Sequence, residues 1–418
     1  MAEKTGIGKQ SLKSKWRVIK WPNHNTACRI CKVIQIWEDT ITNQEIAAAV
    51  VMLFIIQPLK VIIQLIQITM LRKCMRKRNL KAIMRSLDNK ELERGDSNQL
   101  DRLFFQYIQE TGLIIDSCHV LKKNVVKLQT EQGPKVLKGF KNKEKLHGQL
   151  LLGSILDDRN EKVAASFEPF PTKEWFFHYD GLYWACMPVE EGTPLDFSKR
   201  ADRLLGLRQI AKFHKETGNL TKDVAPLKLF QLNEKWLRRY NRFQLSLNQA
   251  PIQKEFVPLA SSVQRWGEWI LERINRKFLQ HLEVEALNNR SLIHGDVAHH
   301  NFLRNKFETV LIDFDLIAYA PLEYDYLQYI NRIMPFLKWD LQEVRDIPIP
   351  GLKHCLQNPD LYLLLAFPTD FFREWLFLMR TNEQKLNNYL AYARQKFQER
   401  ERFFIQVQKA YYKRITYN

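Results

Sequence analysis

The 418-residue sequence lacks the features that define several familiar classes of protein. We find no internal repeat, no low-complexity segment, no zinc-finger array, no RNA-recognition motif and no basic zipper, so we expect no specific nucleic-acid partner. Cysteine is scarce, with six residues scattered along the chain, which fits reduced thiols in the cytoplasm better than a disulfide framework. We also expect no signal peptide, because a long polar run precedes the first apolar segment.

Acidic residues are scarce in the first part of the chain. Residues 1–85 contain 16 Lys and Arg against 4 Asp and Glu, and this segment supplies most of the net charge of +18. Such a segment attracts anionic lipid headgroups or nucleic acid over long distances, although a solvated basic tail is an equally simple interpretation. We therefore treat residues 1–95 as a basic N-terminal extension.

One long apolar run, residues 46–71, lies inside this extension. Its length suits a membrane span, but Pro58 and Lys60 stand at its centre, and a central Lys costs about 3 kcal/mol on insertion. Three interpretations stay open: a span, an interfacial helix that contacts a membrane surface through residues 46–78, or an artefact of an upstream start codon. The third interpretation arises because Met84 opens a more ordinary globular sequence.

The remaining sequence changes from β-prone to helical near residue 190. Residues 124–130 and 135–140 predict one hairpin, and residues 174–189 predict a second, with Asp180–Gly181 suited to a type I′ turn. Helices are predicted for two further segments, 99–112 and 142–156. We expect residues 96–189 to form a small β-rich lobe.

Residues 190–418 are predicted to form a larger helical lobe. Its helices are expected at 190–218, with Ser198 as a candidate cap, at 232–247, at 262–287 and from 322 onward. Two short apolar strands are expected at 291–294 and 309–313. A cleft between two lobes is a common place for a small molecule to bind.

Four oxygen-bearing side chains lie close together in the sequence, in "LIHGDVAHHNFL" and "VLIDFD". Phosphoryl transfer requires a carboxylate for the proton of the attacking hydroxyl and oxygen ligands for Mg²⁺. Asp296 is suited to the first role, and Asn301, Asp313 and Asp315 are suited to the second. We expect Asp315 to share a face with Asp313 if the strand continues through both. Loop stabilisation by Asx-type hydrogen bonds is the alternative for these side chains.

These motifs resemble the catalytic core of the aminoglycoside phosphotransferase and choline kinase group. The stretch from about 99 to 418 resembles more closely the CotS-type kinase-like proteins of bacterial spore coats, through "KVLKGF", "LYWACMPVEEGTPLDF", "LRQIAKFH" and "APLEYDYLQYI". The resemblance implies an α+β, protein kinase-like two-lobe fold. It also implies an ATP- and Mg²⁺-dependent phosphotransferase that acts on a hydroxyl of a small molecule.

The resemblance assigns expected roles to further residues in the smaller lobe. Lys138 corresponds to the strand lysine that grips phosphate, and Glu144 is the candidate to pair with it, although Gln149 lies nearby. The hinge that meets adenine through backbone groups corresponds to Met187 and Val189, within residues 187–190. In the larger lobe, His294 would brace the catalytic loop and Asp325 would hold that loop from a neighbouring helix. His299 and His300 favour packing or substrate contact over a metal.

Departures from the pattern leave a second hypothesis open. No glycine-rich loop appears between 113 and 135, where Gly133 stands alone, and Asp315 replaces the glycine found in protein kinases. A kinase-fold protein without catalysis could instead be a structural component of the spore coat with other coat proteins as partners. The expected location is accordingly the cytoplasm or the spore coat. The helical half shows no clear acid cluster that would suit a cationic aminoglycoside, so the substrate stays open.

Overall fold

The computed structural model describes residues 115–157, 162–218 and 227–417, and it gives side chains through residue 413. It also describes six helical residues, at 102–103, 106–107 and 110–111. The basic extension and the apolar run 46–71 lie outside this part of the chain, so the three interpretations of that run stay as they were. Among the described residues, no helix is both long enough and apolar enough to cross a bilayer.

An antiparallel sheet of five strands forms the smaller lobe, in the order β1-β2-β3-β5-β4. The strands are β1 (Ile115–Lys122), β2 (Val125–Thr130), β3 (Gly133–Phe140), β4 (Phe177–Tyr179) and β5 (Leu182–Pro188). Both predicted hairpins are confirmed. The β4–β5 turn places Asp180 and Gly181 at φ 51° and 69°, which is the positive φ that a type I′ turn requires.

Helix α1 (Lys143–Asp157) follows β3 and closes one side of the sheet. Its buried face includes Leu146, which packs with Phe140, Phe167 and Ala185 in a small core of its own. Strand β1 was not expected from the sequence. Its register with β2 shifts twice, between Ile115 and Ser117 and again near its end, and these irregularities break the alternation of buried and exposed residues that a regular strand shows.

The larger lobe is built mainly from helices around one extended apolar core. These helices are α2 (Arg200–Glu216), α3 (Leu232–Ser246), α4 (Val257–Arg273), α5 (Arg276–Asn288), α6 (Glu323–Ile333), α7 (Gln342–Arg345), α8 (Pro350–Gln357), α9 (Pro359–Leu364), α10 (Thr369–Thr381), α11 (Glu383–Gln395) and α12 (Phe397–Tyr417). The expectation of a β-rich lobe followed by a helical lobe is confirmed.

Two predicted helices differ from those observed. Helix α2 begins only at Arg200, and the Ser198 hydroxyl donates to Asp196 instead of capping the helix. The single helix expected over 262–287 is divided into α4 and α5. The division lies at Asn275, whose side chain accepts a hydrogen bond from the Phe278 amide and so starts a new helix.

Five short strands, β6 to β10, form two small sheets among the loops of the larger lobe. Strands β6 (Thr193–Pro194), β8 (Phe302–Arg304) and β9 (Thr309–Leu311) form one small sheet, and β7 (Leu292–Ile293) pairs with β10 (Ala318–Tyr319). Residues 163–165 pair with β9: the Ala165 amide donates to the Leu311 carbonyl, and the Leu311 amide donates to the Val163 carbonyl. All described residues belong to one unit, residues 86–418.

Candidate active site

A buried carboxylate on α6 holds the loop that follows β7. Asp325 accepts hydrogen bonds from the backbone amides of His294 (2.8 Å) and Gly295 (2.9 Å). The His214 Nε2 atom on α2 lies 2.9 Å from the same carboxylate. Burial opposes ionisation of Asp325, but the hydrogen bond and charge of His214 outweigh it and lower the pKa of Asp325. The structure thus confirms Asp325 as the residue that holds this loop.

The loop itself has a backbone that few residues could adopt. His294 is fully buried; its Nε2 donates to the Ile312 carbonyl (3.0 Å), and its Nδ1 accepts from the Asp296 amide (3.3 Å). Burial lowers the pKa of His294, which favours the neutral ring that this pattern of bonds requires. Gly295 has φ 76°, and a Cβ there would lie 2.3 Å from the Leu316 carbonyl oxygen.

Asp296 and Asn301 are joined across a tight turn. The Asn301 Nδ2 donates to the Asp296 carbonyl at 2.8 Å, and the Asn301 carbonyl accepts from the Ile312 amide at 3.0 Å. Asn301 is buried and is the last residue of the 3₁₀ turn that leads into β8. Asn301 therefore contacts both Asp296, five residues before it, and Ile312, the residue that precedes Asp313.

Asp313 and Asp315 converge on Lys138 although they do not share a strand. Strand β9 ends at Leu311, and a 3₁₀ turn begins after Asp313, so the strand does not continue and the condition for a shared strand face is not met. The Lys138 Nζ lies 2.8 Å from Asp313 Oδ1 and 3.0 Å from Asp315 Oδ1. Asp313 itself occupies the left-handed region at φ 64° and ψ 67°, a conformation that costs free energy in a non-glycine residue.

Further side chains from the smaller lobe meet the same two carboxylates. The Lys122 Nζ lies 3.7 Å from Asp313, the Lys145 Nζ lies 3.3 Å from Asp315, and the Gln149 amide donates to Asp315 at 3.2 Å. Burial raises the pKa of Asp315, but the charge of Lys138, its hydrogen bond and the charge of Lys145 prevail and leave it below the usual value. A concentrated patch of positive charge therefore faces these carboxylates.

The structure does not bring Glu144 to Lys138. Glu144 is exposed in the first turn of α1, and the hydrogen bonds and ion pairs of Lys138 within the described residues go to Asp313 and Asp315. Gln149, five residues later on α1, is buried, and its side chain donates to Asp315.

One of the backbone donors in the predicted hinge is already bonded within the smaller lobe. The Val189 amide donates to the Pro134 carbonyl at 3.1 Å, so that donor is used inside the sheet. Met187 pairs with Val136 on the same side and lines a small cavity behind Lys138. The Cys186 carbonyl faces the opposite side, where it accepts from the Glu168 amide. Because backbone groups alternate along a strand, Pro188 presents its carbonyl on that outer side.

The donor set suits a hard cation bound with a triphosphate. Asp313, Asp315 and Asn301 offer oxygen atoms alone, which is the chemistry that Mg²⁺ prefers, and Lys138 supplies a cation beside them. Within the described residues, no group of three or more His, Cys, Asp and Glu side chains is arranged to share a metal ion. A metal here would therefore depend on an amide oxygen and on phosphate oxygens besides the two carboxylates.

A larger cavity, of about 490 Å³, lies next to Arg332, the ion-pair partner of Asp296. It is lined by His299 and His300, which follow Asp296, and by residues of α6, α10, α11 and α12. The Arg332 Nη2 on α6 lies 2.5 Å from Asp296 Oδ1 and forms part of the wall. His299 also packs against Phe197, with ring centroids 5.8 Å apart. The two histidines thus line a space of substrate size.

Three residues of the site were missed by the sequence reasoning. Arg332 stands 36 positions after Asp296, and no local motif marks it. Lys122 was overlooked because strand β1 was not recognised, although a basic pair at 122–123 ends that strand. Gln149 was noted only as a neighbour of Glu144, and the buried face of α1 was the signal that could have favoured it.

Comparisons with known proteins identify the family and the fold of the chain. The model of the family described as Phosphotransferase enzyme family matches residues 125–343, more than half of the chain. A crystal structure of an aminoglycoside phosphotransferase from Alicyclobacillus acidocaldarius subsp. acidocaldarius DSM 446 is similar, with a TM-score of 0.54 and 17% identity over 72% of this chain and 94% of that chain. At that identity the likeness concerns the fold, and it confirms the kinase-like two-lobe architecture.

Two other solved structures match with lower scores. Spectinomycin phosphotransferase in complex with ADP and spectinomycin has a TM-score of 0.42 and 14% identity, covering 71% of this chain and 93% of that chain. A choline kinase from Cryptosporidium parvum Iowa II has a TM-score of 0.46 and 10% identity, covering 70% and 90%. None of the curated proteins matches the chain.

Proposed function

We propose a function from one premise: the chain belongs to the phosphotransferase enzyme family. The proposed reaction is transfer of the terminal phosphoryl group of ATP to a hydroxyl of a small molecule, with Mg²⁺ as the metal. One observation carries the proposal: Lys138 lies within ion-pair distance of both Asp313 and Asp315, while Asn301 bonds to Asp296 and to the residue before Asp313.

The proposed roles follow from the chemistry of each side chain. Asp296 accepts the proton of the attacking hydroxyl, because its ion pair with Arg332 places it next to a residue that lines the large cavity. Asn301, Asp313 and Asp315 hold Mg²⁺ through oxygen atoms. Bound Mg²⁺ would neutralise phosphate charge at this site. Lys138 moves from the carboxylates to the phosphates when a nucleotide is present.

Lys122 is proposed to act where many kinases have a glycine-rich loop. It stands at the tip of the β1–β2 hairpin, and its side chain is mostly exposed while it reaches toward Asp313. A flexible lysine there can follow the phosphates of a bound nucleotide as a point charge. The proposed hinge contact to adenine moves from Val189 to the outer carbonyl of Pro188, because the Val189 amide is already bonded to Pro134.

The direct test is ADP release by Asp296→Asn in the presence of MgATP and hydroxylated acceptors. We expect turnover to fall about 10²- to 10⁴-fold, the contribution of a positioned general base. Asp346→Asn is the matched control, because Asp346 is an exposed carboxylate distant in sequence from the loop. Equal turnover in Asp296→Asn and wild-type protein, with both folded, would remove Asp296 from its assigned role.

A location in the spore coat is proposed as the finer interpretation, and it is supported by the resemblance of residues 99–418 to CotS-type proteins. In this interpretation the kinase fold contacts other coat proteins, with or without retained catalysis. The membrane-surface role proposed for residues 46–78 is separate from it. Binding of MgATP by purified protein separates the enzyme from a purely structural component, since the latter needs no nucleotide.

A further inference from the structure

We propose that the acceptor molecule carries a negative charge, such as a phosphate or carboxylate group, in addition to the hydroxyl that receives phosphate. This inference rests on the proposed function, because it concerns the cavity beside Asp296. It is the opposite of what a cationic aminoglycoside would need. The argument begins with four side chains that we call the cationic cluster: Lys235 and Arg239 on α3, Arg332 on α6 and Arg373 on α10.

The members of the cationic cluster lie close enough to repel one another. Burial lowers the pKa of Lys235 to about 8, and the charges of Arg239, Arg332 and Arg373 contribute in the same direction. Burial together with Arg373 lowers the pKa of Arg239 to about 10, and the same two causes act first on Arg332, whose pKa is also about 10. Three separate helices thus direct positive charge into one place.

Carboxylates of the protein do not balance this charge. Asp296 pairs with Arg332 at 2.5 Å, and Glu374 pairs with its neighbour Arg373 at 3.0 Å. Asp370 is held in a bidentate pair by Arg400 at 2.6 and 3.1 Å. Asp196, which also lines the cavity, accepts from the Ser198 hydroxyl at 2.6 Å and pairs with Lys199 at 3.3 Å. Four cations of the cluster therefore face two available carboxylates.

The two remaining cations have no acidic partner in the described part of the chain. Arg239 donates to the hydroxyl and carbonyl oxygens of Thr369, which are neutral groups. The Lys235 ammonium lies over the Phe230 ring, 4.4 Å from its centroid. Lys235 and Arg239 are half-buried. Partly desolvated cations without counter-ions are costly, and such an arrangement is stable in a binding site because an anionic ligand completes it.

The cavity offers space and a further polar group for such a ligand. Arg332 and Arg373 both line the volume of about 490 Å³, together with Glu374 and Asn331. Asn331 is 5% exposed, and its Oδ1 atom is buried without a hydrogen-bond partner. This oxygen can accept a hydrogen bond from a hydroxyl of the ligand. A molecule that carries both an anion and hydroxyls therefore satisfies both sets of groups.

An anion in the cluster would also change the surroundings of Asp296. Arg332 now contacts the carboxylate that is assigned as the base. When Arg332 turns to the anion, Asp296 Oδ1 becomes available to the acceptor hydroxyl. In the transfer, the acceptor oxygen forms a bond to the terminal phosphorus of ATP, the bond from that phosphorus to the bridging oxygen breaks, the proton passes to Asp296, and ADP leaves.

The first experiment compares acceptors that differ in charge but share hydroxyl groups. ADP release is measured with glycerol and glycerol 3-phosphate, with glucose, glucose 6-phosphate and gluconate, and with kanamycin and choline. We expect an anionic member of these sets to give kcat/KM at least about 10-fold above its neutral counterpart, in line with one charge-assisted hydrogen bond. Preference for kanamycin or choline would overturn the proposal.

The second experiment tests the cluster itself. Arg373→Gln and Lys235→Met are expected to raise KM for the preferred anionic acceptor about 10- to 100-fold while KM for ATP is unchanged. Arg380→Gln and Arg242→Gln, exposed positions on α10 and α3, are the matched controls. An unchanged KM for the acceptor in both cluster variants would overturn the assignment.

A third measurement does not depend on catalysis. Inorganic phosphate at millimolar concentration should raise the Tm of wild-type protein and of Lys138→Met, but not that of the double variant Lys235→Met, Arg373→Gln. If MgATP does not bind but this shift is observed, the proposed function fails and the anion site stands. If MgATP binds but the shift is the same in the double variant, the anion site fails and the proposed function stands.

Discussion

Lys235 is the residue of the cationic cluster whose charge is expected to change near neutral pH. It is surrounded by Arg239 on its own helix, Arg332 on α6, Arg373 on α10 and Asp296 on the catalytic loop, and burial is the largest cause of its lowered pKa of about 8. Below that pH the ammonium is charged and attracts an anion. Above it the neutral amine offers no such attraction.

We therefore predict that KM for an anionic acceptor rises as the pH is raised through about 8. Lys235→Arg should keep its charge over this range and flatten the profile between pH 7 and 9.5, because guanidinium groups titrate far higher. Steady-state kinetics over this range make the comparison. A profile that is identical in wild type and Lys235→Arg would show that another group controls the affinity.

The same pKa has a consequence for stability with the opposite sign. Because the folded-state pKa of Lys235 lies below that of the unfolded chain, the folded state holds fewer protons between about pH 8 and the ordinary lysine value. Stability from this group is therefore lowest below about pH 8 and increases as the pH rises through that window. Lys235 therefore contributes least to stability in the pH range in which its charge adds to the cationic cluster.

Among the structural elements, the loop from β7 to β8 is positioned by α6 more than by its own sequence. The Asp325 carboxylate accepts hydrogen bonds from two backbone amides of that loop and from the ring of His214 within the core. Removing this carboxylate leaves three buried donors without their partner. The catalytic loop thus depends on a side chain about thirty residues away.

We predict that Asp325→Ala lowers the free energy of unfolding by about 3–5 kcal/mol, the usual result of removing one partner from a buried charged network. Urea unfolding followed by circular dichroism measures the change. Asp346→Ala, at an exposed position, should alter stability by less than about 0.5 kcal/mol. A similar small change in Asp325→Ala would show that the loop is held by other contacts.

The elements that local chemistry specifies were predictable from the sequence. Asp180–Gly181 marked the β4–β5 turn because few residue pairs adopt two positive φ values. Strand β1 was not predictable, because two irregularities disrupt its alternation. The break between α4 and α5 depends on one side chain, Asn275, in a segment whose apolar spacing continues across it.

The same division applies to the candidate site. Asp296, Asn301 and Asp313 could be proposed because their order and spacing form a recognisable motif. In the structure the Asn301 side chain donates to the Asp296 carbonyl, and the Asn301 carbonyl accepts from Ile312, the neighbour of Asp313. Arg332 and Lys122 could not, because their places are decided by how α6 and the β1–β2 hairpin pack, which is a long-range property. Their roles, like those of the motif residues, stay predictions until activity is measured.

On the scale of the whole molecule, charge connects the two lobes at the candidate site. Lys122, Lys138 and Lys145 come from the smaller lobe and meet Asp313 and Asp315 of the larger lobe. A metal ion that binds these carboxylates must compete with the three ammonium groups. A nucleotide gives the ammonium groups new partners, so metal and nucleotide should assist each other.

We predict that ATP analogues raise the affinity for Mg²⁺ at least about 10-fold, a coupling of roughly 1.4 kcal/mol that must be reciprocal. Isothermal titration calorimetry, performed in both orders with a non-hydrolysable analogue, measures it. Asp313→Asn should abolish the coupling, whereas Asp346→Asn should retain it. Equal Mg²⁺ affinity with and without the analogue would contradict the proposed arrangement.

The left-handed backbone of Asp313 has a consequence for laboratory evolution. An aspartate in this conformation costs on the order of 1 kcal/mol or more of folding free energy, whereas glycine or asparagine adopts it at a lower cost. A library screened only for resistance to heat should accumulate such replacements at this position. A library screened for turnover should reject them. Comparing the two screens would therefore distinguish an active enzyme from an inactive protein with the same fold.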